Sequence, residues 1–309
     1  MLVFFELILG LFILIVGGEL LVRGAVSFAH YFRISPLVIG LTIVSFGTSA
    51  PELLVSLQAA VLGSPDLAVG NVVGSNIANL ALVLGATVLI LPIAVDKSNL
   101  LFNWAVMLLA TLLFIVFSIT DAKIVFWEGC ILFGALIGYL IYAFCFGKND
   151  KEDFENNSSN VGLLVSILLY LPFGAFGLYY GAELMVESAV LVAKDVLGLS
   201  EAVVGVTIVA FGTSLPELVA SCVAALRNQP GISIGNLIGS NIFNLLAVLG
   251  LTSIVVPIDV FDSFFCFDVY WLIFISIVIG PILIFSKKIG RLIGVFLVAF
   301  YLAYLLLVL

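Results

Sequence analysis

The sequence predicts an all-α integral membrane protein in which ten transmembrane helices form two inverted five-helix repeats. The first observation is composition, since 63% of the 309 residues are hydrophobic and only 10% are charged, whereas soluble domains carry about 25% charged residues. The second is the length of the apolar runs, and the third is that one part of the chain repeats another. Such a chain belongs in a lipid bilayer, and we expect no nucleic-acid partner.

The apolar residues occur in long runs separated by short polar segments. A transmembrane helix needs about 20 such residues, and ten runs approach or exceed that length. The runs are apolar at nearly every position, as at 7–16, so they lack the period-two alternation of a membrane β-barrel. The predicted spans are 2–22, 36–63, 67–92, 101–119, 124–146, 161–190, 201–227, 231–256, 269–285 and 290–309.

Two pairs of segments show that the chain contains a duplication. Residues 34–53 and 199–218 are identical at 13 of 20 positions, and residues 69–85 and 234–250 are identical at 11 of 17. Both pairs are separated by the same offset of 165 residues. A constant offset across two separate matches indicates one repeated structural unit.

The repeat divides the chain into a first half at 1–147, a hydrophilic linker at 148–160 and a second half at 161–309. Each half contains five predicted spans. Because five is odd, the second half enters the membrane in the opposite direction from the first. Inverted repeats with a substrate site near the midplane are a recurrent transporter architecture.

Basic residues test this arrangement, because cytoplasmic loops are enriched in lysine and arginine. With ten spans, nine of the eleven basic residues fall on one side of the membrane and two on the other. We therefore expect a cytoplasmic linker and both termini on the extracytoplasmic side of the cell membrane. The nine are Arg23, Arg33, Lys97, Lys148, Lys151, Arg227, Lys287, Lys288 and Arg291; the two are Lys123 and Lys194.

Two acidic residues, Glu52 and Glu217, are predicted near the middle of the second and seventh spans, at equivalent positions of the repeats. A carboxylate at this depth is unfavourable unless it faces a cavity and meets a cation or a proton, so it indicates a functional site. Because a pseudo-two-fold axis relates the two halves, we expect both glutamates to share one site.

Hydroxyl groups accompany each glutamate at helical spacing, which places them on the same stripe of the helix. Hydroxyls and carboxylates are oxygen ligands of the kind that hard cations prefer. The first stripe is Ser45, Ser49, Glu52 and Ser56, and the second is Ser214, Glu217 and Ser221, with Thr48 and Thr213 beside them.

Prolines are expected to add backbone oxygens to the site. Pro51 and Pro216 have no N–H group, so the carbonyls of Gly47 and Gly212 lose their helical partners. We expect the helix to kink or unwind there, because irregular backbone in a membrane is tolerated where it lines a cavity. Calcium binds about six to eight oxygens, carbonyls included.

The third and eighth spans are predicted to form the opposite wall of the site. Each contributes two asparagines and one serine, spaced four residues apart, and their neutral oxygens would suit Na⁺ around a glutamate pair that also accepts Ca²⁺. These residues are Asn71, Ser75 and Asn79, and Asn236, Ser240 and Asn244.

These motifs support a family resemblance that covers essentially the whole chain. The segments GTSAPE and GTSLPE, each followed by GNxxGSNIxN, resemble the α-repeats of the cation/calcium exchanger superfamily, particularly its sodium/calcium exchangers. The resemblance implies an antiporter that exchanges Ca²⁺ for Na⁺ by alternating access, in which helices one and six slide across the other eight.

The resemblance also assigns roles to individual residues. It implies that Glu52 and Glu217 bind Ca²⁺ directly and Na⁺ alternately. The sodium sites would be lined by Thr48, Ser49, Thr213, Ser214, Ser75 and Ser240, with the carbonyls of Ser45 and Ala210. Some family members, like the potassium-dependent exchangers, have Asp at the position of Asn244. The amides at both 79 and 244 therefore disfavour potassium coupling.

Three other functions compete with this hypothesis. A calcium/proton antiporter would neutralise the same glutamates with protons, and a passive cation channel would use the same oxygen-lined path. A membrane enzyme is disfavoured, because the chain has a single histidine and lacks an HExxH motif. We expect no cofactor and no obligatory protein partner, with Ca²⁺ and Na⁺ as substrates and the lipid bilayer as surroundings.

Overall fold

The computed structural model describes residues 2–94, 97–146, 160–193, 210–260, 265 and 267–308. It confirms the all-helical membrane fold. The ten main helices are α1 Leu2–Phe32, α2 Pro36–Val61, α3 Pro65–Ile90, α4 Lys97–Asp121, α5 Phe126–Phe146, α6 Asn160–Leu191, α7 Leu215–Leu226, α8 Pro230–Val255, α9 Asp268–Phe285 and α10 Arg291–Val308.

Within the described ranges, nine of these helices are long and apolar enough to cross a membrane, and α7 is shorter. A single helical turn, Ala210–Thr213, precedes α7. The first part of the predicted seventh span, 201–209, lies outside the described residues, as does Lys194. The predicted linker at 148–160 also lies outside them, except for Asn160, which begins α6.

Helix α1 continues ten residues beyond the predicted end at residue 22, so that boundary was wrong. The prediction placed Arg23 in a loop because of its charge. In the structure Arg23 Nε donates to Glu19 Oε1 one turn earlier, at 2.5 Å, so both charges are accommodated on the helix. The helix ends only where Arg33 adopts a left-handed conformation with φ of 56°, shortly before Pro36, which begins α2.

The prolines were predicted to kink or unwind the helix, and the helix is interrupted in the second half only. Pro51 lies inside a continuous α-helical segment, Ser45–Val61, and the helix does not unwind there. In the second half the chain is interrupted at Ser214, and Pro216 lies in the first turn of α7. A proline removes one hydrogen bond, but in a membrane the other backbone groups still need helical partners, which favours an uninterrupted α2.

Wide π-helical turns interrupt three of the central helices, which the sequence did not predict. They occur at Gly40–Val44 in α2, Asn79–Val83 in α3 and Asn244–Val248 in α8. The last two begin at equivalent asparagines of the repeats. Such turns are often found at functional sites, because they rearrange the backbone within an otherwise regular helix.

Helices α1 and α6 pack against each other in antiparallel orientation along a seam of glycines. A methyl group on Gly17 would lie 2.5 Å from the backbone nitrogen of Leu178, so only glycine allows the observed approach. At Gly10 and Gly24, seven residues to either side, a methyl group would lie 2.8 Å from Met185 N and 2.9 Å from Leu171 N, a close approach typical of small residues in membrane helix pairs. The seam joins α1 and α6 into one closely packed unit.

Helices α3 and α8 form the centre of the molecule. In an 18-residue stretch of each, 72% and 83% of the residues are buried, against 22% in α6 and in α10. The polar segments GNxxGSNIxN therefore lie in the most buried part of the protein. Apolar side chains of α6 and α10 face outward, where lipid would surround them.

Two pairs of short antiparallel strands connect the halves at the ends of the helices. Strand β1, Ile93–Ala94, pairs with β4, Lys288–Ile289, and β2, Lys123–Ile124, pairs with β3, Ile258–Asp259. Each pair joins one loop of the first half to one loop of the second. These pairings agree with an arrangement in which the α3–α4 and α9–α10 loops share one membrane side and the α4–α5 and α8–α9 loops share the other.

The glycine seam leads to a stability prediction. We expect Gly17→Ala to lower the thermal unfolding midpoint of the detergent-solubilised protein, because overpacking a close helix contact costs about 1–3 kcal/mol. Gly134→Ala in α5 is the matched control, since a methyl group there meets nothing within 4 Å. Equal unfolding midpoints for the two variants would contradict the close packing of α1 against α6.

Candidate functional site

The structure brings the two predicted glutamates together in the interior of the bundle. Glu52 lies on α2 and Glu217 in the first turn of α7, and both are fully buried. The hydroxyl of Ser49 donates a hydrogen bond to Glu217 Oε1 at 3.2 Å, so a residue of the first stripe touches the carboxylate of the second. The two carboxyl groups are close enough to interact electrostatically. The equivalent acids therefore form one site.

Two hydroxyl pairs connect the halves of the molecule. Thr48 Oγ1 on α2 lies 3.2 Å from Ser240 Oγ on α8. Its counterpart, Thr213 Oγ1, lies 3.4 Å from Ser75 Oγ on α3. Each predicted sodium-lining threonine thus meets the predicted serine of the other repeat. The wall predicted for α3 and α8 does face α2 and α7, as the repeat pattern suggested.

Asn236 connects three helices beside the site. Its side-chain nitrogen donates to Ser221 Oγ at 3.0 Å and to the backbone carbonyl of Glu217 at 3.4 Å. Its side-chain oxygen accepts a hydrogen bond from Thr48 at 3.0 Å. Asn236 therefore links α8 to α2 and holds the turn of α7 that carries a glutamate.

Asn71 has the same role in the first half. Its side-chain nitrogen donates to Ser56 Oγ at 2.9 Å and to the backbone carbonyl of Glu52 at 3.3 Å. The sequence placed Asn71 and Asn236 in an ion-binding wall. Their amide nitrogens instead bind the helices that carry the acids, so we interpret both residues as positioning groups.

Several buried oxygens at the site have no hydrogen-bond partner among the residues that the structure describes. Buried polar atoms are nearly always paired, so a group of unpaired oxygens indicates a ligand. Carboxylate, amide and hydroxyl oxygens together match the ligands that hard cations take. The atoms are both carboxylate oxygens of Glu52, Oε2 of Glu217, Oγ of Ser214 and the side-chain oxygens of Asn79 and Asn244.

Two predicted carbonyl ligands have different surroundings. The carbonyl of Ser45 accepts a hydrogen bond from Thr48 Oγ1 at 3.3 Å, while the Ser45 hydroxyl donates to Gly40 O at 2.7 Å and to Asn236 O at 3.0 Å. Ala210 begins the short turn before α7. The participation of either carbonyl in ion binding stays a prediction.

Among the residues that the structure describes, Glu52 and Glu217 are the acidic side chains at the site. Across the described ranges, no group of three or more acidic, histidine or cysteine side chains is placed to hold a metal ion. When both are ionised, Glu52 and Glu217 supply a charge of −2 among neutral oxygens. One divalent cation would neutralise that charge.

Another pair of equivalent asparagines was missed by the sequence interpretation. Asn76 and Asn241 are buried, and the Asn76 side-chain nitrogen lies 3.4 Å from the Asn241 carbonyl. Asn241 donates to the carbonyl of Leu237 at 2.7 Å. Asn76 and Asn241 directly follow Ser75 and Ser240 in the sequence, and their contact links α3 to α8. Their recurrence at the repeat offset was the signal that could have identified them.

Comparison with known proteins identifies the family. The sodium/calcium exchanger protein family matches this chain twice, at residues 2–145 and 166–309. The sodium/calcium exchanger MaX1 of Methanosarcina acetivorans is 32% identical over 341 residues, covering 98% of this chain and 97% of that protein. The inner membrane protein YrbG of Escherichia coli is 31% identical over 310 residues, covering 97% and 94%.

A solved structure has the same fold. The sodium-calcium exchanger NCX_Mj, soaked with zero Na⁺ and Ca²⁺, superposes with a TM-score of 0.86 at 34% identity, covering 100% of this chain and 99% of that one. The two family matches coincide with the two halves of the duplication. This chain therefore belongs to the sodium/calcium exchanger protein family, as a multi-pass membrane transporter of the cation/calcium exchanger superfamily and not an enzyme.

Proposed function

We propose that this protein is a secondary active antiporter that exchanges Ca²⁺ for Na⁺ across the cell membrane by alternating access. The observation that carries the proposal is the pair of buried carboxylates, Glu52 and Glu217, whose unpaired oxygens lie among neutral hydroxyl and amide groups. The proposal is also supported by similarity to sodium/calcium exchangers, which extends over nearly the whole length of this chain.

Charge balance explains how the two ions compete. Burying two carboxylates without a counter-ion is strongly unfavourable, so the site favours states in which cations neutralise them. One Ca²⁺ bound by Glu52 and Glu217 meets this condition. Two Na⁺ would supply the same charge, and the neutral oxygens of Thr48, Ser75 and their counterparts offer ligands that add no further charge.

Alternating access is supported by the packing of α1 and α6. The glycine seam joins them to each other through close backbone contact. Toward α7, by contrast, Gly18 of α1 faces the side chain of Val219. A closely packed pair whose contacts with its neighbours include apolar side chains, with Glu19–Arg227 as a polar contact near one end, can move as one body, as the family resemblance implies for helices one and six.

The proposed orientation places both termini outside the cell and the central linker in the cytoplasm. This orientation is supported by the basic residues, because nine of the eleven fall on the side that we assign to the cytoplasm and two on the other. The strand pairs join loops that share a predicted side, so they agree with the order of the spans, whichever side is the cytoplasm.

A calcium/proton antiporter is the alternative, and a flux experiment distinguishes the two. We expect an outward Na⁺ gradient to drive ⁴⁵Ca²⁺ uptake into proteoliposomes, because neutral oxygens around the glutamates can bind Na⁺. Equal Na⁺ concentrations on both sides are the control. Uptake driven by a pH gradient without Na⁺ would refute the sodium assignment, and uptake without any counter-ion gradient would indicate a channel.

Removing either carboxylate is expected to prevent Ca²⁺ binding. For Glu52→Gln and Glu217→Gln we expect affinity to fall at least about 30-fold, since breaking a buried charge pair costs about 2 kcal/mol or more. Calorimetric titration of purified protein with Ca²⁺ would measure the loss. Glu6→Gln on α1 is the matched control, and wild-type affinity in either site variant would contradict the proposed site.

Adding a third carboxylate is expected to change the monovalent or proton dependence of exchange while Ca²⁺ still binds. Asn244 is fully buried at the start of the π-helical turn in α8, so Asn244→Asp would place a further negative charge beside the glutamates. The dependence of ⁴⁵Ca²⁺ flux on Na⁺ concentration and pH would be measured. Gln58→Glu, an exposed position on α2, is the control, and unchanged profiles for both variants would count against a role for Asn244.

A further inference from the structure

A second polar site lies at the surface of the bundle, away from the ion site. It is a cavity of about 320 Å³ between α1, α6 and the end of α7. We call this cavity the arginine pocket. Its polar lining residues are Arg23, Ser27, Tyr170, Arg227 and Gln229. None of these belongs to the motifs around Glu52 and Glu217.

The arginine pocket carries a net positive charge. Arg23 and Arg227 both donate to Glu19: Arg23 Nε to Oε1 at 2.5 Å, and Arg227 Nε to Oε2 at 3.1 Å, with a further bond from Arg227 Nη2. Two guanidinium groups therefore face one carboxylate. Among the described residues, the Nη groups of Arg23 have no acceptor, so N–H donors remain available to an anion. The side chains of both arginines are about half exposed.

The helix lengths lead us to place the arginine pocket at the level of a membrane surface. Arg23 is about 31 Å along α1 from its first residue at about 1.5 Å per residue, and the hydrocarbon core of a bilayer is about 30 Å thick. Arg227 directly follows the last residue of α7. Two arginines from different helices thus meet where lipid headgroups would be.

One wall of the arginine pocket continues into a lipid-facing surface. Tyr170 on α6 is partly buried, whereas its neighbours Leu169 and Phe173 are 47% and 62% exposed. An anion in the arginine pocket would therefore have exposed apolar side chains beside it. This combination fits a lipid, whose acyl chains can lie on Leu169 and Phe173, better than a free ion.

The arginine pocket has no equivalent at the opposite membrane face. At the repeat offsets, Glu187 takes the place of Arg23 and Leu62 takes the place of Arg227. The basic pocket is therefore confined to the side that carries nine of the eleven basic residues, which we assign to the cytoplasm. Anionic lipids are concentrated in that leaflet in many membranes, and basic pockets between transmembrane helices there bind their headgroups.

We propose that the arginine pocket binds the phosphate of an anionic membrane lipid, with Arg23 and Arg227 as the principal donors. A guanidinium group can donate two parallel hydrogen bonds to a phosphate, and the net charge of the pocket favours an anion. The bound lipid would connect α1 to the end of α7. The inference does not depend on which cation drives calcium transport.

The proposal is tested with full-length protein in a neutral detergent. Phosphatidylglycerol is expected to raise the unfolding midpoint of wild type by at least about 3 °C, as saturating a native-state site does, and phosphatidylcholine is not. In Arg227→Gln and in Arg23→Gln we expect the phosphatidylglycerol shift to fall by more than half, whatever the midpoint of each variant without lipid.

The matched control is Arg291→Gln, which removes the same charge from the same membrane side outside the arginine pocket. Arg291 Nε donates to the Leu89 carbonyl at 3.0 Å, and this variant should retain the full lipid shift. Inorganic phosphate at equal concentration provides a further arm. Equal shifts from phosphatidylcholine or from inorganic phosphate would overturn the proposal, as would an undiminished phosphatidylglycerol shift in both arginine variants.

Discussion

The burial of two carboxylates at the centre of a membrane protein is the constraint on which the rest of the structure depends. Glu52 and Glu217 are fully removed from solvent, and in such an environment an ionised carboxylate needs a counter-ion. The surrounding helices supply polar groups that would be unfavourable elsewhere in a bilayer. Asparagines hold the turns that carry the acids, and other oxygens are left without partners. An unneutralised carboxylate pair would destabilise this arrangement, which is why we propose that the site binds cations.

An inverted duplication satisfies this constraint, because the same motifs, present once in each half, form both sides of the site. The pairs Thr48–Ser240 and Thr213–Ser75 each combine a residue of one half with a residue of the other. Neither half alone contains the complete site. The symmetry is broken in places: α2 is continuous through Pro51, whereas the second half is interrupted at Ser214. The two halves therefore differ in backbone conformation, as the proposed alternating access would require.

The outer part of the bundle is held together by different contacts from those at the centre. Glycines at seven-residue spacing bring α1 and α6 into close backbone contact, and short strand pairs connect the halves at both ends of the bundle. Charged residues occur mainly near the membrane surfaces, where Glu19, Arg23 and Arg227 form a network. Apolar helical segments separate the polar centre, which we propose binds ions, from the basic surface, which we propose binds a lipid headgroup.

The sequence by itself determined the membrane class, the inverted duplication and the identity of the two central acids, because composition, run length and self-comparison depend only on neighbouring residues and a constant offset. It also predicted that the serines and threonines around them would converge. Only the tertiary structure decided which hydroxyls meet across the halves, that Asn71 and Asn236 bind the backbone of α2 and α7, and that α1 continues past Arg23 to Phe32. These features arise from contacts between distant residues and from the balance of charges on neighbouring helices, which local patterns do not contain.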